Sequence, residues 1–290
     1  MNVSIASAKF TKDLIRQHAF RVKKSLGQNF LVDMHVLDKI VLAANISIDD
    51  LVIEIGPGLG ALTQALCRAA KLVTAIELDK QLTQILCESL AEFSNVEIIN
   101  ADILKVDISE LIHTRGYQRA VVVANLPYYI TTPVIMQLLE GGAPLTEIIV
   151  MVQKEVAMRI MAMPGSKDYG ALSLGVTYRA KVDYIANVPR NCFIPRPGVD
   201  SAVIRLTPHA LPPVDVTDEE LFFAVIKAAF ANRRKTLVNC LHHGGLVEDK
   251  SQAATALSTC GLDINIRGEE LGLNEYSKLT ATLLDICRDL

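Results

Sequence analysis

Three glycines at alternate positions, Gly56, Gly58 and Gly60, follow directly on the apolar run Leu51 to Ile55 and open a segment of helical period. A backbone that turns this sharply, and lets a ligand approach without meeting a β-carbon, needs glycine at those places. The pattern commits the chain to a strand, a tight loop and a helix in succession. Further short β-rich runs recur at Leu72 to Ile76, Val96 to Ile99, Ala120 to Ala124 and Glu147 to Val152, with capped or helix-period segments between them. That alternation belongs to a parallel α/β sheet. Asp33 is placed to cap a helix with Val36, Leu37, Ile40, Val41 and Ala44 on one apolar face, and Thr131-Thr132-Pro133 offers a cap with a first-turn proline.

The second half reads differently. Strands are predicted at Val182 to Asn187 and Ala202 to Leu206, and the proline-rich Thr207 to Val216 reads as a linker. Beyond it, Asp218 to Phe230, Leu237 to His242, Ala253 to Ser258 and Glu275 to Cys287 are helical in pattern with no convincing strand. At 290 residues and 50% hydrophobic, the chain has enough apolar material for two cores. The expected division is 1–207 and 208–290.

The glycine spacing is G-x-G-x-G and not the dinucleotide fingerprint G-x-G-x-x-G, and no Gly-Lys-Ser/Thr follows for phosphates. A nucleoside cofactor without pyrophosphate fits, although a tight turn alone would need the same glycines. Glu77 closes the next strand, about 20 residues on, where an acid can accept from both ribose hydroxyls. Asp102 follows the strand after that. It could accept from an adenine amino group, or simply cap a helix.

Asn125-Leu126-Pro127-Tyr128 falls at the carboxyl end of the Ala120 to Ala124 strand, where ligands of open α/β sheets gather. The tetrapeptide sets a side-chain amide and an aromatic ring on either side of a rigid proline, which suits an amino group on a flat base. The N6 lone pair of adenine is delocalised into its ring. Two acceptors, the Asn125 side-chain oxygen and the Leu126 carbonyl, could hold both amino hydrogens and turn the nitrogen towards a methyl donor, while Tyr128 stacks on the base. Together with the glycine loop, this points to methyl transfer from S-adenosylmethionine (SAM) to adenine N6. A strand-to-helix turn built on Asn and Pro is the plainer alternative.

Formal net charge is −3, yet it is unevenly spread. Met1 to Phe30 carries six basic residues, Lys23 and Lys24 among them, against one acid, a local +5 that leaves −8 for the remainder. Leu221 to Val247 holds Lys227, Arg233, Arg234 and Lys235 with no acid. Two basic islands on an acidic body suit a polyanion, although such a run can also be a solvated face. The six cysteines form no C-x-x-C pair and none has a histidine at ligand spacing, which predicts reduced core thiols, no metal and a cytoplasmic protein. The amino terminus lacks the apolar stretch and small-residue cleavage site of a secretory signal. Ala120 to Leu139 is uncharged and long enough to span a bilayer, but Asn125, Pro127, Pro133 and Gln137 argue for a strand, a turn and a helix start.

With Lys24–Leu31 (KSLGQNFL), EIGPGLGALT, Glu77, Asp102, NLPYYITTP, VQKEVAMRI, PGSKDYGALS, CFIPRPGVDSAVIRL and FANRRKTLVNCL, the chain resembles the small-subunit ribosomal RNA adenine N6-dimethyltransferases, the KsgA (RsmA) family. The motifs run from residue 23 to about 241. The resemblance implies an α/β fold, with a Rossmann-like class I SAM-dependent methyltransferase sheet and a second, small all-helical domain. It assigns 1–207 to SAM binding and catalysis, with a basic N-terminal arm, and 208–290 to RNA. It implies that Asn29 and Leu31 join Gly56, Gly58, Glu77, Asp102 and Asn125 around SAM, and that Phe193, otherwise a core residue, faces Tyr128 across the target adenine. Lys23, Lys24, Arg233, Arg234 and Lys235 would hold phosphates. The implied substrate is two adjacent adenosines in the 3'-terminal hairpin loop of 16S rRNA, each dimethylated; the uneven charge suits RNA in an immature small subunit better than naked RNA, and a monomer with a secondary role as an assembly checkpoint is expected. Gly198 and Ala171 depart from the family's usual basic residues. A large-subunit rRNA adenine methyltransferase of the antibiotic-resistance type is the competing reading.

Overall fold

The computed structural model describes residues 5–288, except the side chains of Lys24, Cys287 and Arg288. The chain forms two compact units. The first, residues through Ala157 together with Ala180–Pro208, contains every strand of the described residues. These are β1 (Phe30–Leu31), β2 (Leu51–Ile55), β3 (Val73–Glu77), β4 (Val96–Asn100), β5 (Ala120–Asn125), β6 (Leu145–Gln153), β7 (Ala180–Val188), β8 (Phe193–Ile194) and β9 (Ser201–Pro208). The larger sheet has the order β4-β3-β2-β5-β6-β9-β7; β2 to β6 run parallel, and β9 is antiparallel to both its neighbours. β2 and the first five residues of β5 are buried throughout, which is why both read as unbroken apolar runs.

The helices of this unit are α1 (Ala8–Gln17), α2 (Met34–Ala43), α3 (Ala61–Ala69), α4 (Lys80–Ser89), α5 (Ile108–Thr114) and α6 (Thr131–Glu140), with α7 (Lys154–Ile160) straddling its end. Asp33 caps α2 as its sequence position predicts, accepting from the Val36 amide at 3.2 Å. The threonines before Pro133 do not cap: Ile130 holds the cap position of α6 with no side-chain bond, and Thr131 Oγ1 donates instead to the Pro127 carbonyl. The basic arm is docked. Leu14 and Phe20 pack with Phe30, Leu59, Leu82 and Ile85. No helix among the described residues is long and apolar enough to cross a membrane, and Ala120 to Leu139 is a strand, a turn and most of α6.

The second unit, Met158–Arg179 with the chain from His209 onward, is helical, comprising α8 (Ala171–Arg179), α9 (Glu219–Ala231), α10 (Leu237–His243), α11 (Lys250–Thr259) and α12 (Leu273–Arg288). The chain re-enters it one residue from the expected boundary. Residues 158–179, however, lie in this unit and not in the first, because Tyr169, Leu174 and Tyr178 share one apolar cluster with Phe222, Leu237 and Leu257, and the Tyr169 hydroxyl donates to the Leu271 carbonyl at 2.8 Å. Of the described cysteines, Cys67, Cys192 and Cys240 are buried as expected; Cys87 is exposed and Cys260 half-buried, so neither is a core thiol, and Cys287 lies outside the described side chains.

Candidate cofactor and target-base site

The chain leaves β2 to build one side of the sheet, then returns through β5 to build the other. The two strands are neighbours, so a crevice opens beyond their carboxyl ends at this reversal, where ligands of such sheets bind. The glycine loop follows β2 and Asn125 ends β5. All three glycines adopt positive φ: +68° at Gly56, +62° at Gly58 and +89° at Gly60. At Gly58 a β-carbon would also come within 3.0 Å of the Phe30 ring.

Between them lies a cavity of about 340 Å³, in the range of small-molecule sites. Glu77 is 6% exposed. Its Oε2 accepts from the Gly58 amide at 3.2 Å and its Oε1 from the Asp79 amide at 2.8 Å. Burial raises its pKa, and these amides oppose the rise. A carboxylate so held keeps lone pairs for further donors. Asp79 is buried, which alone would raise its pKa, but Lys23 Nζ and Gln28 Nε2, each at 2.9 Å, bring it below the usual range. Those bonds hold the KSLGQNFL segment beside the cavity. Asp102 lines the cavity and also caps the short 3₁₀ turn Ile103–Lys105 through the Leu104 amide, so both of its predicted roles are compatible.

At the other end, Asn125 Nδ2 donates to the Asn29 carbonyl at 3.1 Å. A carbonyl accepts only from the amide nitrogen, so this bond turns the Asn125 oxygen away from Asn29. Among the described residues that oxygen has no partner, nor does the Leu126 carbonyl, whose own amide donates to Met151 at 3.2 Å. The Tyr128 hydroxyl shares a 2.9 Å hydrogen bond with Ser201 Oγ; the ring is half-buried, and burial pushes its pKa up. Glu54 lies at the cavity floor, 1% exposed, with Oε2 lacking a hydrogen-bond partner. Burial pushes its pKa to about 8, and the charge of Glu77 adds to the rise.

The structure therefore gathers Asn29, Leu31, Gly56, Gly58, Glu77, Asp102, Asn125, Leu126 and Tyr128 around one cavity. Phe193 is not among the residues that line it: it is 3% exposed, pairs with Leu31 across the β1–β8 ladder and shares that residue's core cluster. Lys23 is engaged with Asp79. In the second unit, Arg233 is bound to Glu269 at 2.7 Å and to the Lys167 carbonyl at 2.8 Å, whereas Arg234 and Lys235 are exposed. The Lys24 side chain lies outside the described residues. Sequence reasoning missed Gln28, Asp79 and Ser201. Asp79, two residues past Glu77 at a helix start, carried a local signal; Ser201 carried none.

Two acids, Glu77 and Asp102, line the cavity beside the buried Glu54, which its raised pKa keeps protonated below about pH 8, and no described lining residue is Lys, Arg or His. Such a lining repels phosphates and suits a ligand carrying ribose hydroxyls and positive charge, which fits the sulfonium and ammonium of SAM. Among the described residues no cluster of His, Cys, Asp or Glu could hold a metal ion.

Comparison with known proteins agrees with this geometry. A ribosomal RNA small subunit methyltransferase A of Lachnoclostridium phytofermentans is 50% identical over 284 residues, covering 97% of this chain and 98% of that protein. The protein of the same name in Geobacillus thermodenitrificans is 48% identical, covering 99% and 100%. Among solved structures, a dimethyladenosine transferase from Plasmodium falciparum superposes with a TM-score of 0.74 at 28% identity, covering 89% of this chain and 98% of that one. The 23S rRNA methyltransferase ErmE reaches 0.67 at 25% identity, covering 88% and 99%. The sheet is thus that of a class I methyltransferase. The family described as Ribosomal RNA adenine dimethylase matches residues 19–276, and the chain belongs to that family.

Proposed function

We propose that this protein uses SAM to dimethylate the N6 nitrogens of two adjacent adenosines in the 3'-terminal hairpin loop of 16S rRNA. The observation that carries the reading is a single cavity with an acidic, cation-free end at the glycine loop and two free acceptors at Asn125 and Leu126. Bound in that cavity, SAM supplies an electrophilic methyl group. Glu77 and Asp102 would hold its ribose and adenine, with Asn29, Leu31, Gly56 and Gly58 closing around them. The chain's remaining task is to orient the acceptor nitrogen. Asn125 Oδ1 and the Leu126 carbonyl accept the two amino hydrogens, which favours a tetrahedral N6 with its lone pair free. Tyr128, its hydroxyl anchored on Ser201, offers a stacking face worth about 1 to 3 kcal/mol. The methylated nitrogen is acidic enough to lose its proton to water, so positioning and electrostatics suffice.

A looped-out adenosine has little stacking to lose, which makes extrusion into such a cavity affordable. Arg234 and Lys235, with the exposed cations of the N-terminal arm, supply phosphate contacts. The uneven charge supports an assembled substrate: basic islands on an acidic body suit RNA surrounded by basic proteins better than free RNA. The reading thus includes a cytoplasmic monomer acting on an immature small subunit, with release after methylation serving as an assembly checkpoint. The large-subunit alternative is disfavoured, because the relatives at 48–50% identity carry the small-subunit name while ErmE stands at 25%.

Labelled SAM offered to small-subunit particles, naked small-subunit rRNA, large-subunit rRNA and duplex DNA tests the reading. Label on the first is expected. Label mainly on large-subunit rRNA or DNA refutes it, and equal labelling of naked rRNA refutes the preference for an assembled particle.

A further inference from the structure

A second pocket of about 360 Å³ lies at the carboxyl end of β6, bounded by Gln153–Glu155, Arg190 and Gly198–Asp200. It is preformed by Asp200, whose carbonyl accepts from the Lys154 amide at 3.0 Å and whose Oδ1 accepts from the Arg190 amide at 2.9 Å. The next residue, Ser201, pairs with Gln153 and Val188 in the sheet and holds the Tyr128 hydroxyl. The pocket and the target-base site are therefore joined through one residue.

Two exposed cations, Lys154 and Arg190, line it, and a third exposed cation, Arg196, lies on the loop between β8 and β9, two residues before the lining residue Gly198. Among the described residues none of the three is ion-paired; Arg190 Nη1 reaches only the Gly198 carbonyl, at 3.3 Å. The acids of the pocket are Glu155 and Asp200, and the latter is turned to the Arg190 amide. Two cations that the sequence marks most plainly for RNA, Lys23 and Arg233, are by contrast engaged within the protein. Gly198 opens onto free space: a β-carbon there meets nothing within 4 Å.

We propose that Lys154, Arg190 and Arg196 hold the phosphodiester groups flanking the target adenosine, making this pocket the backbone subsite of the catalytic unit. The inference rests on the RNA substrate proposed above. Phosphates gripped beside Tyr128 set the register of the strand, so that one base and not its neighbour enters the cavity.

The test uses the full chain and a small-subunit rRNA hairpin, with binding measured across a salt series and methylation in parallel. The variant carrying Lys154→Ala, Arg190→Ala and Arg196→Ala should bind RNA about tenfold or more weakly, with a salt slope lower by about 2 to 3, while SAM affinity stays unchanged. Gly198→Lys should steepen the slope by about 0.7 to 0.9. Unchanged affinity and slope in the triple variant, with wild type active, would overturn the subsite alone. If the triple variant loses SAM binding through misfolding, Gly198→Lys decides, and no gain there overturns the proposal. A wild-type protein that binds SAM but methylates no small-subunit RNA would instead remove the reading on which the subsite stands.

Discussion

The two ends of the main cavity are built on opposite principles. At the glycine loop, the acceptor Glu77 is buried and already held by two backbone amides, so its geometry is set before any ligand arrives. At the carboxyl end of β5, the Asn125 oxygen and the Leu126 carbonyl are left without donors, and only their orientation is set, by Asn29 and Met151. A held carboxylate is suited to tight ground-state binding. Free acceptors are suited to a group whose hydrogen bonds strengthen as reaction proceeds. The difference separates a binding end from a reacting end within one continuous surface.

The largest effect should come from the reacting end. Asn125→Ala is expected to slow single-turnover methylation at saturating SAM by about 10² to 10³, with RNA affinity nearly intact. A rate near wild type would abolish the distinction between the two ends. Next, Glu77→Ala should weaken SAM binding by about 1 to 3 kcal/mol in calorimetry, because ribose hydroxyls lose a charged acceptor. Unchanged affinity in a folded variant would remove Glu77 from the ribose site.

Glu54 probes the floor. Its folded pKa of about 8 stands above the ordinary 4.5, so the folded state binds the proton more readily than the unfolded chain. Its contribution to stability is full below the ordinary value and is lost as pH rises towards about 8. Glu54→Gln cannot ionise. Its melting temperature should exceed that of wild type by roughly 4 °C or more at about pH 9, with the difference shrinking towards pH 5. A parallel pH dependence in both proteins would show that the carboxyl is not held neutral. The smallest effect is expected from Tyr128→Phe, which leaves the stacking face and removes only the bond to Ser201. A loss of about 0.5 to 1.5 kcal/mol in RNA-dependent activity should follow; a loss as large as that of Asn125→Ala would mean the hydroxyl takes part in orienting the nitrogen.

Local pattern carried much of this molecule. The run Leu51 to Ile55 is a strand at its stated bounds, and Val182 to Asn187 and Ala202 to Leu206 are strands extended by one or two residues at each end. Gly56, Gly58, Glu77, Asp102 and Asn125 were legible because each sits at a strand end, where backbone direction and residue type alone bring it to the crevice. Phe193 was not. Its place depends on a two-residue ladder with Leu31, 162 positions away in the chain, and it is buried in the same cluster as Leu31. The segment 158–179 likewise lies between two strands of the first unit, and nothing in its own pattern announces that Tyr169 and Tyr178 find their apolar partners beyond residue 220.

Residue pattern alone thus set the α/β sheet, the helical second unit, the glycine turn and the chemistry of the acceptors, since these follow from period, φ and the donor and acceptor character of single residues. Which cations are paired within the protein and which stay exposed was settled by the fold alone. Lys23 and Arg233 read in sequence like Lys154, Arg190 and Arg196. They differ because Asp79 and Glu269, distant along the chain, lie within 3 Å of the first pair, and partners of that kind are fixed by how the chain folds back on itself.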